Sequence, residues 1–450
     1  MPALKGQNQI LDAYVHSMKS SFKNNAIEFL AIIIVFANIF LRLIPILPLI
    51  YFLVFLSLYR TRLIGAYYLT SYAMPILLGS ALYVQGITGV ATLLEVILFL
   101  FCLYHWLRKK TIVFYNFKNE FSLLLLVSFI FVVSSCLNTG GDYAPTKLKE
   151  TTLNGLLVFF AYGFLFCNPH KCNYIRIGLY LILYSFLMLL LSTLLNGGMG
   201  PTNFLDFGYL RAQNLIAYEE DKLLVDYQHV GCFATMGLGC IFLESLKKGY
   251  SNLFMILCIF LCTIVSLYSG ARQSIIISLV LFLLWVFSQR KEGASRFRYL
   301  IYLLVGVAIV FFMINFLVSE GGALNSVKEE GYLDASNRGF IMLKSINDFI
   351  NNPFFGVGFG HFEFYGRYGL YPHNMFVEIL CELGIVGMSL LVLVVVKPLK
   401  YLLKYEKACV YLFVVYFLRS MTSGGLDSNI MLFSYIFAVL SLKSIKRYNI

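Results

Sequence analysis

The sequence predicts an all-α protein, a polytopic membrane bundle of about 12–14 transmembrane helices with a large outer loop that contains a short amphipathic helix. Hydrophobic residues make up 59% of the 450 residues, and the mean hydropathy is +0.78. Charged residues make up only 13%, where a soluble domain has about 25%. Apolar runs of about 20 residues recur along the chain, each long enough for a helix that crosses a bilayer.

The charge pattern orients this bundle. The net charge of +12 could indicate a nucleic-acid partner. The basic residues instead form short clusters between the apolar runs, where the positive-inside rule places them. We therefore expect membrane lipid and no nucleic acid as the surroundings of this protein, with both termini in the cytoplasm.

The alternation of sides then divides the chain. Its first 25 residues are polar and contain three lysines, which favours a cytoplasmic tail. Both long polar loops fall on the outer side. The predicted order is a cytoplasmic N-terminal tail (1–25), transmembrane helices (26–318) with an outer loop near 197–228, a large outer loop (319–373), C-terminal transmembrane helices (374–442) and a cytoplasmic tail (443–450).

The large outer loop contains two patterns. Phe340, Leu343, Ile346 and Phe349 recur at intervals of three, which predicts a short amphipathic helix that ends at Asn351-Asn352-Pro353. Three alternating glycines follow at positions 356, 358 and 360. Such glycines allow either a phosphate cradle of backbone amides or a plain loop turn.

Several basic residues lie near the predicted outer ends of transmembrane helices. Arg272 lies in an otherwise apolar run, where an arginine costs about 2.5–3.5 kcal/mol unless it faces a cavity or a partner. Arg338 lies in the predicted first turn of the loop helix, so it either points back to the membrane helices or is a solvated loop charge. Arg211 and His229 are further candidates in and just after the first outer loop.

Arg419 is another arginine in an apolar run, near the outer face, and it needs a partner. Asp427 is the candidate partner that the sequence offers.

His373 lies where the outer loop meets the next apolar run. The positive end of a helix dipole disfavours imidazolium there, and a neutral imidazole suits a general base. Asn374, Glu378 and Glu382 are spaced for one helix face and support this position. The two acids either orient His373, pair with an arginine, or serve the fold alone.

Arginines around a base imply an anionic ligand, because the planar guanidinium binds phosphate oxygens in pairs. The sequence has no Asp-x-Asp pair to hold a metal-bound nucleotide sugar, so we expect no metal and no cofactor. A polyprenyl pyrophosphate bearing a sugar chain fits a site that opens to lipid.

These motifs resemble the bacterial O-antigen ligase/polymerase superfamily. The resemblance rests on His373-Asn374 followed by nine residues and Gly384-x-x-Gly387, on the glycine-rich run 351–360, and on Ser-Gly-Ala-Arg at 269–272. It implies a glycosyltransferase of the bacterial inner membrane, with its active site on the periplasmic side and undecaprenyl-pyrophosphate-linked glycan as donor.

The resemblance also implies roles for individual residues. Arg272 and Arg338 match arginines that would hold the pyrophosphate, and Arg211 matches less closely. His373 matches the histidine that would take the proton from the attacking sugar hydroxyl, with inversion at the anomeric carbon. A partner that regulates chain length is also expected.

Three functions stay open within this resemblance. A polymerase joins the growing chain to another lipid-linked repeat unit, and the long, aromatic-rich chain favours this reading. A ligase delivers the glycan to lipid A–core. A flippase for the same lipid is a third reading, although a flippase needs charged groups at mid-membrane depth.

Overall fold

The computed structural model describes Lys147, residues 174–195, 227–248, 252–288, 338–362 and 372–422, and the single residues Leu432, Tyr435, Ile436 and Val439. The helices in this part are α1 Tyr174–Leu195, α2 Tyr227–Lys248, α3 Asn252–Ser269, α4 Arg272–Ser288, α5 Arg338–Asn351, α6 Met375–Tyr405 and α7 Val410–Thr422. A 3-10 turn, Lys407–Cys409, joins α6 to α7. No strand occurs among the described residues, so the all-α prediction is confirmed for them.

Among the described helices, α2 is central and packs against α1, α3, α4 and α7. Glycines let the neighbouring backbones approach it closely. A Cβ atom on Gly237 would lie 2.6 Å from the carbonyl oxygen of Gly178 in α1. Because small residues replace bulky ones at this contact, the two helices pack backbone to backbone.

Side-chain contacts fix the relative directions of the helices. Gly231, near the start of α2, contacts Ala271 and Ser274 at the start of α4. Phe242, further along α2, stacks on Trp285 near the end of α4, so these two helices run parallel. Phe376, at the start of α6, meets Phe417 near the end of α7, with ring centroids 5.4 Å apart. Arg419, near the end of α7, contacts the Sγ atom of Cys232 near the start of α2. The starts of α2, α4 and α6 and the end of α7 therefore lie at one end of the described helices, here called the site end.

Two described helices are long and apolar enough to cross a membrane, Gln228–Leu246 and Met375–Tyr405. Shorter apolar stretches lie in α1, α3 and α4. The apolar runs predicted between residues 26 and 137 lie outside the described residues. The total of about 12–14 transmembrane helices therefore stays a prediction.

One face of α3 is apolar and exposed. It carries large side chains at the helical spacing that forms a single stripe. They are Leu253, Ile256, Leu257, Phe260 and Leu261. A stripe of this kind is typical of a helix that faces lipid.

The loop helix agrees with its prediction. α5 covers residues Arg338–Asn351, and it ends at the Asn-Asn-Pro sequence that was expected to stop it. Its polar and apolar residues segregate to different faces, so it is amphipathic. The apolar run that α6 begins was expected to end near Val396. α6 instead continues through the exposed Lys397, Lys400 and Lys404 to Tyr405.

Candidate functional site

His373 lies at the site end, directly before α6. It is half-buried and has a φ of 54°, in the left-handed region that few residues other than glycine adopt. Asn374 caps the helix, since its Oδ1 accepts hydrogen bonds from the backbone N–H groups of Phe376 (3.0 Å) and Val377 (3.2 Å). The cap fixes where α6 begins and therefore where His373 lies relative to the helix axis.

Glu378 and Glu382 are both buried, and they face one lysine. The Lys147 ammonium contacts Glu378 Oε1 and lies 3.0 Å and 3.1 Å from the two carboxylate oxygens of Glu382. Its side chain is fully buried. For these two acids the sequence left three roles open: orientation of His373, pairing with an arginine, or a structural role alone. The structure shows that their partner is a lysine.

Lys147 was missed because it lies in a short polar stretch, 138–152, between two apolar runs, which the alternation of sides puts on the outer side. Two signals could have revealed it. A lysine on the outer side goes against the positive-inside rule. Two acids one helical turn apart inside an apolar helix also repel each other, and burial makes a cation between them necessary.

The first part of α6 is separated from the rest by a break at Gly384, where φ is 64° and ψ is −160°. The loop that follows α5 fills this break. Its Val357 and Gly358 N–H groups donate to the carbonyls of Cys381 (2.9 Å) and Glu382 (3.0 Å). Beyond the break, the N–H of Ile385 donates to the carbonyl of Pro353 (2.8 Å). The loop therefore satisfies backbone groups that an interrupted helix leaves unpaired.

This docking decides between the two readings of the glycine-rich run. The N–H of Gly356 donates to the carbonyl of Asn352 at 2.9 Å, and the next two amides bind α6 as described. These three amides are engaged within the protein, so they do not form a phosphate cradle. The structure supports the alternative, a loop turn, and gives it a specific place to bind.

Arg272 is the first residue of α4, just after a tight turn from α3. Gly270 forms this turn with a φ of 71°, and its N–H donates to the carbonyl of Leu267 at 3.0 Å. The helix N-terminus so created carries a partial positive charge. Arg272 and this N-terminus are therefore both suited to an anion.

His229 lies in the first turn of α2, at the same end. It is half-buried and stacks on Phe233, with ring centroids 6.1 Å apart. Neighbouring Gly231 contacts the first turn of α4. His229 therefore lies near the start of α4, the helix that begins with Arg272.

Arg338 is the first residue of α5. One turn later, Ile341 packs into a small cluster with Cys381 of α6 and Phe362. The start of α5 thus lies against the part of α6 that His373 precedes. Arg211, the third predicted arginine, lies outside the described residues.

Arg419 lies near the end of α7 and contacts the Sγ atom of Cys232 in α2. Its predicted partner, Asp427, lies outside the described residues. Among the described residues, no group of three or more His, Cys, Asp or Glu side chains could hold a metal ion. The expectation that the reaction needs no metal stays a prediction.

One comparison with known proteins identifies a family. Residues 254–392 match the family model described as O-antigen ligase, which is less than half of the chain. The match covers α4, α5 and the break in α6, and with them Arg272, Arg338 and His373. It leaves out Lys147, His229 and Arg419. No curated protein matches the chain. The match confirms the resemblance stated above: residues 254–392 match the O-antigen ligase domain model, which is consistent with the O-antigen ligase/polymerase superfamily.

Proposed function

We propose that this protein is a membrane glycosyltransferase that polymerises undecaprenyl-pyrophosphate-linked oligosaccharide repeat units on the periplasmic side of the bacterial inner membrane. The observation that carries the proposal is the position of His373, held at the start of a candidate membrane helix at the end where α4 begins with Arg272. The match to the O-antigen ligase domain supports the same reaction class.

The proposed reaction is a direct displacement at the anomeric carbon of the donor. His373 takes the proton from the acceptor hydroxyl, whose oxygen forms the new bond to that carbon. The bond from the carbon to the pyrophosphate oxygen breaks at the same time, and the pyrophosphate keeps the electron pair. Attack from the opposite face inverts the configuration of the carbon.

Positive groups stabilise the leaving pyrophosphate as its charge develops. Arg272, Arg338 and Arg211 have this role in the proposal, with His229 as a further ligand. The starts of α4 and α5 add the partial charge of two helix N-termini. Asn374 and the acids of α6 support the position of His373.

The ligase reaction is the second candidate, because the matching family model carries the description O-antigen ligase. In that reaction the acceptor is lipid A–core. A strain that lacks the gene separates the two on a glycan gel. Core carrying a single repeat unit indicates a lost polymerase, whereas core with no repeat unit indicates a lost ligase. A flippase is the third reading, and unchanged export of lipid-linked repeat units in that strain would exclude it.

The direct test is an assay of the purified protein with lipid-linked repeat units. We expect glycan of more than one repeat unit on the lipid and release of undecaprenyl pyrophosphate. Product with inverted anomeric configuration is expected by NMR. An absence of transfer by a folded protein with both lipid-linked repeat units and lipid A–core would refute the proposal.

A further inference from the structure

Lys147 connects two charged side chains, Glu378 and Glu382, and it comes from outside the matched family segment. Its ammonium has three N–H donors, and three carboxylate oxygens surround it at hydrogen-bond distance. Lys147 and both glutamates are buried to 1% exposure or less. The three side chains form a unit, here called the lysine–glutamate triad.

Lys147 supplies a positive charge between the two glutamates in the first part of α6. Glu378 and Glu382 are four residues apart on one helical face, so two carboxylates would repel each other there without a cation. Asn374, the helix cap, lies one turn before Glu378. A shift of either glutamate is therefore transmitted through one rigid turn to His373.

Lys147 also touches the loop that follows α5. Its ammonium lies 5.4 Å from the centre of the Phe359 ring, which is fully buried. The preceding residue, Gly358, donates its N–H to the carbonyl of Glu382 at 3.0 Å. Lys147 thus contacts both α6, which His373 precedes, and the loop after α5, the helix that begins with Arg338.

We infer that Lys147 is a positioning residue for the transfer reaction. Through Glu378, Glu382 and Phe359 it holds the start of α6 against the loop after α5. It thereby fixes the spacing between the proton acceptor His373 and the donor-binding arginine Arg338. This inference rests on the proposed function, because it assigns roles to both of those residues.

The first arm of the test measures turnover. Lys147→Met removes the charge and keeps most of the side-chain length. We expect kcat to fall on the order of 10²-fold, because a small displacement of reacting groups costs about that much. The donor KM should change little. Lys147→Arg should recover most of the lost kcat, since a guanidinium can donate to both carboxylates.

The second arm measures the docking of the loop without any activity. Val357 packs beside Cys381, and its N–H donates to the Cys381 carbonyl at 2.9 Å. Val357→Cys, in a background that keeps Cys381 as its only other cysteine, can be joined to it by a short thiol cross-linker. We expect several-fold slower cross-linking when Lys147→Met is added.

A third variant covers the case in which Lys147→Met does not fold. The combination Lys147→Met, Glu378→Gln and Glu382→Gln removes all three charges, so no unpaired buried charge is left. We expect a folded protein with slow cross-linking and low kcat. Wild-type kcat in the folded Lys147→Met variant, or in the folded triple variant, would overturn the inference. So would a fall in kcat without slower cross-linking, or a rise in donor KM at unchanged kcat.

These outcomes are distinct from a failure of the proposed function. If the wild-type protein transfers no glycan, the proposed reaction fails, and the cross-linking still reports whether Lys147 docks the loop. If the wild-type protein transfers glycan and the Lys147→Met and triple variants do so at the same rate, the inference about Lys147 fails alone.

Discussion

At the scale of single residues, the most unusual backbone of the site end belongs to His373. A residue with a side chain in the left-handed region costs about 1–2 kcal/mol. This conformational cost is offset locally, because Asn374 caps α6 immediately afterwards with two hydrogen bonds. The chain therefore enters the helix by a sharp turn that presents His373 beside the helix axis.

His373→Ala is expected to reduce transfer by about 10²–10⁴-fold, the usual contribution of a general base. Protein level and export of lipid-linked repeat units should stay normal. Glycan gels and the purified assay measure the effect. His16→Ala, in the predicted cytoplasmic tail, is the matched control. Glycan of normal chain length in the His373→Ala strain would contradict the base role.

Asn374→Ala is expected to lower the free energy of unfolding by about 1 kcal/mol, because two amide N–H groups lose their acceptor. Asn374→Asp should keep most of the stability, since a carboxylate caps a helix equally well. Thermal unfolding of the detergent-solubilised protein measures both. Equal melting temperatures for the alanine and aspartate variants would exclude a capping role.

His361 gives the docked loop a dependence on pH. Burial lowers the pKa of His361 below 6.5, an effect that Glu382 and Asp348 partly oppose. The unfolded state then binds more protons than the folded state, so stability is lost as the pH falls below about 6.5. Thermal unfolding between pH 5 and 8 should show a smaller decline for His361→Gln than for wild type. Identical profiles would contradict this assignment.

At the scale of elements, the break in α6 and the loop after α5 are complementary. Each supplies the hydrogen-bond partners that the other lacks, which is why non-helical backbone can exist inside an apolar helix. Two glycines meet at this contact, Gly356 in the loop and Gly384 in the helix. Both have positive φ, and at both a Cβ atom would overlap backbone of the partner segment.

Gly384→Ala is expected to destabilise the protein by at least about 2 kcal/mol, since strained backbone alone costs about 1–3 kcal/mol. A Cβ atom there would also lie 2.4 Å from the carbonyl oxygen of Phe354. Gly239→Ala is the matched control, because its nearest neighbours are side-chain atoms of α7 at 3.1 Å and 3.2 Å. Thermal unfolding compares the two. A larger loss for Gly239→Ala would contradict the proposed docking.

At the scale of the whole molecule, the site end is built by more than the matched family segment. α2 and α7 both lie outside that segment, yet a contact between Cys232 and Arg419 joins them beside the start of α4. Lys147 adds the cation of the triad. The described helices therefore bring distant parts of the chain to one end of the bundle.

The exposed stripe of α3 should face lipid in the membrane. A spin label on Phe260→Cys is expected to collide more with oxygen, which dissolves in the bilayer, than with a water-soluble nickel chelate. Phe260 is 60% exposed. A label on Lys400→Cys, at the predicted cytoplasmic end of α6, is the control and should show the opposite preference. Preference for the nickel chelate at position 260 would contradict a membrane location for α3.

Much of the fold was predictable because it depends on local pattern. The apolar runs indicated helices, the three-residue spacing from Phe340 indicated α5, and the boundary at His373-Asn374 indicated the start of α6. The candidate site was predictable in part for the same reason. Arg272, Arg338 and His373 all lie at or just before helix starts, where a change from polar to apolar sequence is visible.

The sequence by itself determined that the described part of the chain is helical, and that the chain is apolar and rich in basic residues at the ends of its predicted membrane helices. Only the tertiary structure decided how those ends are held. The Lys147–Glu378 pair joins residues 231 positions apart, and the break at Gly384 is stable only with the loop of Pro353 and Gly356 docked into it. Local pattern cannot indicate such contacts, because their energy comes from matching charges and backbone groups that meet only after the chain has folded.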